Sequence, residues 1–488
     1  MNLNEMTARE LAGALKNREV SAVEVTENAL ERAERVGAQV GAFAHLTPEL
    51  AREQAKRADR ALADGDAPAF AGVPLPIKDI NQVAGQPMEA GARIMRGHVA
   101  ETNDAVVELL AEAGTVCIGK TSTPEFAFPP YTEPVAGPKA RSPWDLSRTA
   151  GGSSGGAAAA VAAGIAPVAH ASDGGGSIRI PASATGLVGL KPSRGLVSAA
   201  PGVDGAGLPT NGVITRDVRD TAAFLDVLSQ YQPGDPWLRN RPHTTYLDAC
   251  DRPQNELRIG ILWEPLNVEE IDMHPHSREA VELTARTLES LGHHVEIASR
   301  PMNSQDWETF MPLWSTSAAQ LPVPEEAVDQ LEPLTRWLRD MGQGFSAVEY
   351  ANAVSGAQAL TRKVVSEWAD FDVILTAALP PGTLRPEDLM KEDPAEDFYS
   401  QRRFTPWTSV WNMLGAPSIA LPVLAGKVGQ DWPNGEALDE HDGVVLPFSI
   451  MLNSVHIGTD EMLLGLAAQI ERALPWRERQ LEVIRRYA

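Results

Sequence analysis

Three residues in this sequence are of types that together could hydrolyse an amide. Ser177 follows three consecutive glycines in "SDGGGSIRIP" (172–181). Ser153 sits 24 positions earlier, in a second glycine–serine cluster, "GGSSGG" (151–156). Lys78 ends the apolar stretch "GVPLPIK" (72–78). An amide carbonyl needs a nucleophile, a proton acceptor and donors for the developing oxyanion. Glycine costs backbone entropy, so three before a serine call for a use. They leave successive amides free to point at one oxygen, as in an anion nest. Lysine accepts a proton only when neutral. Its reference pKa is about 10.4, so neutrality near pH 7 to 8 needs a shift of roughly 2 to 3 units, about 3 to 4 kcal/mol, which burial can supply.

Two other motifs compete for the same segments. Gly114 to Thr121, "GTVCIGKT", fits the Walker A pattern. A phosphate loop must open a helix, and here strand-forming residues fill the middle while Pro124 follows closely. A core strand leading into a loop is the expectation. "GGSSG" (151–155) fits the G-x-S-x-G nucleophile elbow, with His243, His274, His441 and His456 as later partners. That elbow requires a strand before the serine, and "SPWDLSRTA" is a poor strand. His170, in "PVAHAS", reads as a packed histidine.

The elements that must hold these residues alternate. Residues 1–65 read as helices, the last a charged helix ending at Gly65. Short strands are expected at "PLPIKDI", "TVCIGKT", "IAPVAHASD", "GLVGLKPS", "LRIGILWE", "HHVEIAS", "FDVILTAALP", "PSIALPV" and "VLPFSIML", with helices between them. Residues 303–368 look mainly helical and carry several tryptophans. "TDEMLLGLAAQIERALP" closes the chain as an amphipathic helix with Thr459 at its N-cap. Alternation of this kind argues for an α/β layered fold. With no repeat and no low-complexity linker, 1–488 is expected to be one domain: N-terminal helices (1–65), a core (70–220), a helical insertion (303–368) and C-terminal strands with a helix (370–488). Gly429 to Gly443 reads as a surface loop.

Composition narrows the function. The net charge is −23, which repels phosphate backbones, and no basic stripe offsets it, so no nucleic-acid partner is expected. Cys117 and Cys250 lie far apart. They suggest neither a disulfide framework nor a zinc site, and a reduced cytoplasmic setting fits. The N-terminus is an amphipathic helical start rather than a signal peptide. The most apolar run, Ala157 to Ala171, is short and broken by Gly164 and Pro167, so no membrane span is expected.

Taken together, "GVPLPIKD", "GKT", "GGSSGG", "SDGGGSIRIPAS" and "GLVGLKPSRG" resemble the amidase signature family of serine hydrolases, and so do the late segments "DVILT" and "NMLGAPSIALPV". "TEP", "PW" and "PVAH" are similar to cyclic amide hydrolases of the 6-aminohexanoate cyclic-dimer type. The resemblance implies a central mixed sheet of roughly ten strands covered by helices on both faces. It implies Ser177 as nucleophile, Ser153 as a bridging serine after a cis peptide bond, and Lys78 as the base that starts the proton relay. The amides of Gly174, Gly175, Gly176 and Ser177 would form the oxyanion hole. Ser154, Asp173 and Arg179 would support the loops, Asp173 and Arg179 as a pair. Phe126, Phe128 and Tyr131 in "PEFAFPPYTEP", and Trp407 and Trp411 in "RFTPWTSVWN", occupy loops that border the family's acyl pocket. They suggest an apolar or aromatic substrate. Gly174 stands where the family usually has a side chain, which suggests a looser oxyanion loop or a roomier pocket.

The expected reaction is hydrolysis of a small amide through a Ser177 acyl-enzyme, with esters, anilides and carbamates sharing the chemistry. No metal and no cofactor is called for, and a monomer or homodimer is expected. The alternatives are an amidotransferase subunit feeding ammonia to a partner, or an inactive scaffold.

Overall fold

A computed structural model describes residues 2–202, 206–237, 239, 241–439 and 443–488. Thirteen strands are found among these residues. Strands β1 (Phe43–Leu46), β2 (Ile77–Lys78) and β3 (Gly119–Thr121) form one small sheet, in the order β1-β3-β2. Strands β4 (Arg141–Ser142) and β5 (Asp145–Thr149) form a two-stranded hairpin. The remaining eight are β6 (Val168–Asp173), β7 (Val188–Lys191), β8 (Thr210–Thr215), β9 (Arg258–Ile261), β10 (His294–Ile297), β11 (Val373–Ala377), β12 (Ser418–Val428) and β13 (Val444–Ser454). They form the main sheet in the order β10-β9-β11-β13-β12-β7-β8-β6. Its β10–β9 and β9–β11 pairs are parallel and the others antiparallel. The main sheet therefore has eight strands, because the strands of Lys78 and Lys120 belong to the smaller sheet.

Every residue of β11 is buried, as is nearly every residue of β13. A strand buried at consecutive positions has both faces covered. Helices Arg179–Thr185, Pro275–Ser290 and Asp460–Ala473 pack on this part of the sheet. The same burial explains why these strands read as continuous apolar runs rather than alternating ones.

Local signals set the boundaries. Thr7 with Glu10, and Ser21 with Glu24, form capping boxes at the starts of helices Ala8–Lys16 and Ala22–Val40. Gly65 ends helix Pro48–Asp64 in the left-handed conformation, as expected. Thr459 does hold the N-cap position of helix Asp460–Ala473, but its hydroxyl bonds to Ser454 and His456 instead of capping. Strand β1 falls inside the segment expected to be all helix, and a further helix, Arg477–Arg485, follows the one expected to be last. "DLSRT", judged a poor strand, is β5, supported by its hairpin partner β4. No helix among the described residues is long and apolar enough to cross a membrane. Residues 440–442 of the 429–443 segment lie outside the described residues.

Helix Gly155–Ala162 runs without clearance beneath the small sheet. A Cβ at Gly156 would stand 2.4 Å from Ser122 N and 2.5 Å from Ala42 O. Backbone on both sides cannot yield cheaply, so Gly156→Ala is expected to cost about 2–4 kcal/mol. Gly13, on an open helix face where an added Cβ would meet nothing within 4 Å, makes the control: Gly13→Ala is expected to gain about 0.5–1 kcal/mol. Urea unfolding of both variants checks the pair.

Candidate active site

The site begins where the small sheet meets the edge strand of the main one. His170 of β6 donates its backbone N–H to Pro76 O (3.0 Å). The Lys78 backbone N–H donates in turn to His170 Nδ1 (3.4 Å). His170 Nε2 then faces Asn211 Oδ1 at 3.3 Å. Burial, and then the charge of Lys78, push the His170 imidazole down to about 3, so it is neutral. Histidine here aligns two segments, as its apolar sequence setting suggested.

That alignment sets Lys78 in the interior, fully buried. Its Nζ lies 2.7 Å from Ser153 Oγ and 3.0 Å from Ser172 Oγ. Burial lowers the Lys78 amine to about 7, against an opposing pull from Asp173. Ser172 was not singled out from the sequence, although it opens the stretch that contains the glycines. Ser153 follows a cis peptide bond from Gly152. Ser154 takes the N-cap position of helix Gly155–Ala162 without capping it, and its hydroxyl donates to Ser172 O (3.2 Å). Gly152 is tightly held, since a Cβ there would lie 2.7 Å from the backbone of Tyr131.

Asp173 and Arg179 form a buried bidentate pair, with Nε–Oδ2 at 2.9 Å and Nη2–Oδ1 at 3.0 Å. Asn412 donates to Asp173 Oδ1 at 2.9 Å, and the Ile178 N–H to Oδ2 at 3.2 Å. Burial would raise the Asp173 carboxyl, but the charge and hydrogen bonds of Arg179, with Asn412, hold it down to about 2.

The same carboxylate takes the Gly176 N–H (2.7 Å). This corrects one expectation, because the Gly176 amide is committed to the brace and unavailable to an oxyanion. The amides of Gly174, Gly175 and Ser177 have no acceptor among the described residues. Gly176 has φ +136° and a Cβ would come within 2.5 Å of Ile180, so only glycine fits. At Gly174 a Cβ would come within 3.2 Å of Trp314. The space left by the missing side chain is therefore occupied by that indole, and the pocket is not roomier there.

Ser177 opens onto a cleft that holds about 460 Å³ of space between atoms, part of it reaching solvent. Its hydroxyl makes no hydrogen bond with Ser153, whose Oγ meets Lys78 Nζ, or with any other described residue. Phe128, Trp307, Phe310, Trp314 and Phe398 give the cleft aromatic walls. Phe310 stacks on Trp314 at 5.3 Å between centroids and on Trp307 at 4.9 Å, while Phe128 meets Trp314 edge-on at 5.5 Å.

Of the five aromatics expected to touch substrate, only Phe128 lines the cleft. Tyr131 is buried, with its hydroxyl donating to Asp397 (2.8 Å). Trp407 is fully buried and donates to Glu264 O, and Trp411 stacks on Trp368 and donates to Ser454 O. Phe126 takes a left-handed backbone conformation (φ 49°) outside the cleft lining. Trp307, Phe310 and Trp314 were missed, yet their i, i+3, i+7 spacing was a readable signal for one aromatic face.

The competing motifs do not assemble. Lys120 is buried, with Nζ on Asp79 Oδ1 (3.1 Å) and Pro87 O (3.1 Å), and no α-helix opens after it. Among the described residues no histidine nitrogen bonds to Ser153 or Ser177. His441 lies outside the described residues.

Comparison with known proteins agrees across nearly the whole chain. The Amidase family model matches residues 24–449. A candidate amidase of Synechocystis sp. is 33% identical over 482 residues, covering 96% of this chain and 88% of its own. A candidate amidase of Mycobacterium tuberculosis, AmiB2, is 35% identical over 459 residues, covering 93% of each chain. The solved structure of 6-aminohexanoate cyclic dimer hydrolase superposes with a TM-score of 0.88 at 28% identity, covering 99% of this chain and all of the other.

A buried amine has a stability signature. The Lys78 amine titrates at about 7 in the fold, against about 10.4 in an unfolded chain. Between those values the unfolded state binds more protons, so this residue makes stability rise with pH. Its cost is greatest below pH 7 and vanishes above about pH 10.4. Lys78→Met is expected to raise the unfolding free energy at pH 7 by about 1–3 kcal/mol, less than the full shift because two hydroxyls lose their partner. Urea titrations at pH 7 and pH 10 check this. A loss of stability at pH 7 would contradict it.

Proposed function

This chain belongs to the amidase family, and on that premise we propose that it hydrolyses a small amide through an acyl-enzyme on Ser177. The observation that carries the reading is the 2.7 Å contact between Ser153 Oγ and a fully buried Lys78 whose amine titrates at about 7. Such an amine is substantially neutral at physiological pH and can accept a proton.

In the proposed sequence Ser177 Oγ attacks the carbonyl carbon. Its proton passes to Ser153, and the Ser153 proton to Lys78. The oxyanion lies against the free amides of Gly174, Gly175 and Ser177. The tetrahedral species collapses, the C–N bond breaks, and the proton on Lys78 returns through Ser153 to the leaving nitrogen. Water then attacks the Ser177 ester, giving up a proton along the same relay, and Ser177 Oγ leaves with that proton. The first transfer requires the Ser153 and Ser177 hydroxyls within hydrogen-bond distance in the substrate complex. Esters, anilides and carbamates pass through the same intermediate. The aromatic walls of the cleft support an apolar or aromatic substrate. The hydrolase named for 6-aminohexanoate cyclic dimer shares this fold, which supports including cyclic amides among the candidates.

A fluorophosphonate read by peptide mass spectrometry tests the assignment. The label is expected on Ser177 and absent from Ser177→Ala. In Lys78→Ala the labelling rate is expected to fall by about 100-fold or more, the range a general base supplies. A label on Ser153, or none on folded protein, would contradict the scheme.

A further inference from the structure

The cleft beside Ser177 has polar groups as well as aromatic walls, and most are already engaged. Arg402 stacks its guanidinium on Trp307 at 4.4 Å. Its Nε donates to Asn267 O (2.9 Å), Nη2 to the same oxygen, and Nη1 to Glu308 (2.9 Å). Gln401 Nε2 donates to Asp397 (2.6 Å), and the Thr405 hydroxyl to Gln401 O (2.9 Å). Ser409 Oγ accepts from Trp307 Nε1 (2.9 Å).

Asn267 differs. It is almost fully buried and lines the cleft. Its Nδ2 donates to Thr405 O (3.3 Å), which fixes the orientation of the amide, and its buried Oδ1 finds no partner among the described residues. A buried acceptor left unpaired is costly. The group that would satisfy it must donate a hydrogen bond. A carboxylate cannot, and the guanidinium beside it has its charge met by Glu308 and three of its five N–H groups engaged.

We propose that the cleft takes a single-ring aromatic amide bearing an O–H or N–H donor on the ring, and that Asn267 Oδ1 accepts that hydrogen bond. This rests on reading the Ser177 cleft as the substrate site. The stacked Trp307, Phe310 and Trp314 supply contacts for one ring beside Ser177, and Asn267 selects among rings by their substituent. A site built to hydrogen-bond a substrate hydroxyl rejects the analogue that lacks it.

Calorimetric binding tests this in the Ser177→Ala protein, which removes turnover. The probes are 3- and 4-hydroxybenzamide against the matched methyl and methoxy benzamides. One hydroxybenzamide is expected to bind about tenfold or more tightly than its methyl and methoxy counterparts. Adding Asn267→Leu is expected to bring that ratio to about one. The methoxy comparison needs no Asn267 variant, so it stands even where Asn267→Leu does not fold. Equal binding of hydroxy and methoxy forms at both ring positions, or a ratio unchanged by Asn267→Leu, would overturn the proposal. Fluorophosphonate labelling separates the two failures. A labelled Ser177 with no donor preference sinks only the Asn267 assignment, whereas an unlabelled Ser177 sinks the reading of the site.

Discussion

A lysine kept without charge against a serine hydroxyl constrains everything near it. Lys78 reaches about 7 because burial removes water from its amine. Burial outweighs the opposite pull of Asp173, whose negative charge lies in the interior. Arg179 compensates it through two hydrogen bonds, and Asn412 adds a third. The buried ion pair braces the glycine loop, whose Gly176 and Ile178 amides bond to the same carboxylate. Pairs of this kind rarely add net stability over a hydrophobic replacement. Here the pair keeps the Asp173 carboxylate charged.

Position follows from the same contacts. Two short strands could not hold Lys78 alone. The contact of Pro76 and Lys78 with His170 docks the small sheet on the edge of the main one, and this brings β2 to the serines of β6 and of the helix start. The Asp173 carboxylate also takes the Gly176 amide, which turns the glycine loop, and the amides of Gly174, Gly175 and Ser177 have no acceptor among the described residues. One carboxylate therefore links the electrostatics of Lys78 to the geometry around Ser177.

The segments that carry the proposed chemistry stood out in the sequence through their glycine–serine clusters and the family pattern they match. Lys78 alone reads as a surface lysine at a strand end, and it becomes a candidate through its place in the family pattern with Ser153 and Ser177. The cleft was not legible in the same way. Trp407 and Trp411 lie next to site segments in sequence, yet their indoles turn inward to Glu264 O and Ser454 O. The walls come instead from Trp307, Phe310 and Trp314, far along the chain, and only tertiary packing sets Trp314 over Gly174. The strands were found where apolar runs were continuous. β1 was missed because its four residues sit between two strongly patterned helices and owe their pairing to β3.

The pH dependence of Ser177 modification tests the central claim most directly. The rate of fluorophosphonate labelling, measured from pH 5 to pH 10, is expected to rise with deprotonation of one group near pH 7, the value to which burial brings Lys78. Labelling would then be slow at pH 5 and level above about pH 8, because only the neutral amine accepts the proton. A rise centred near pH 10, the range of an ordinary lysine, or no dependence on pH at all, would contradict a neutral Lys78 as the base.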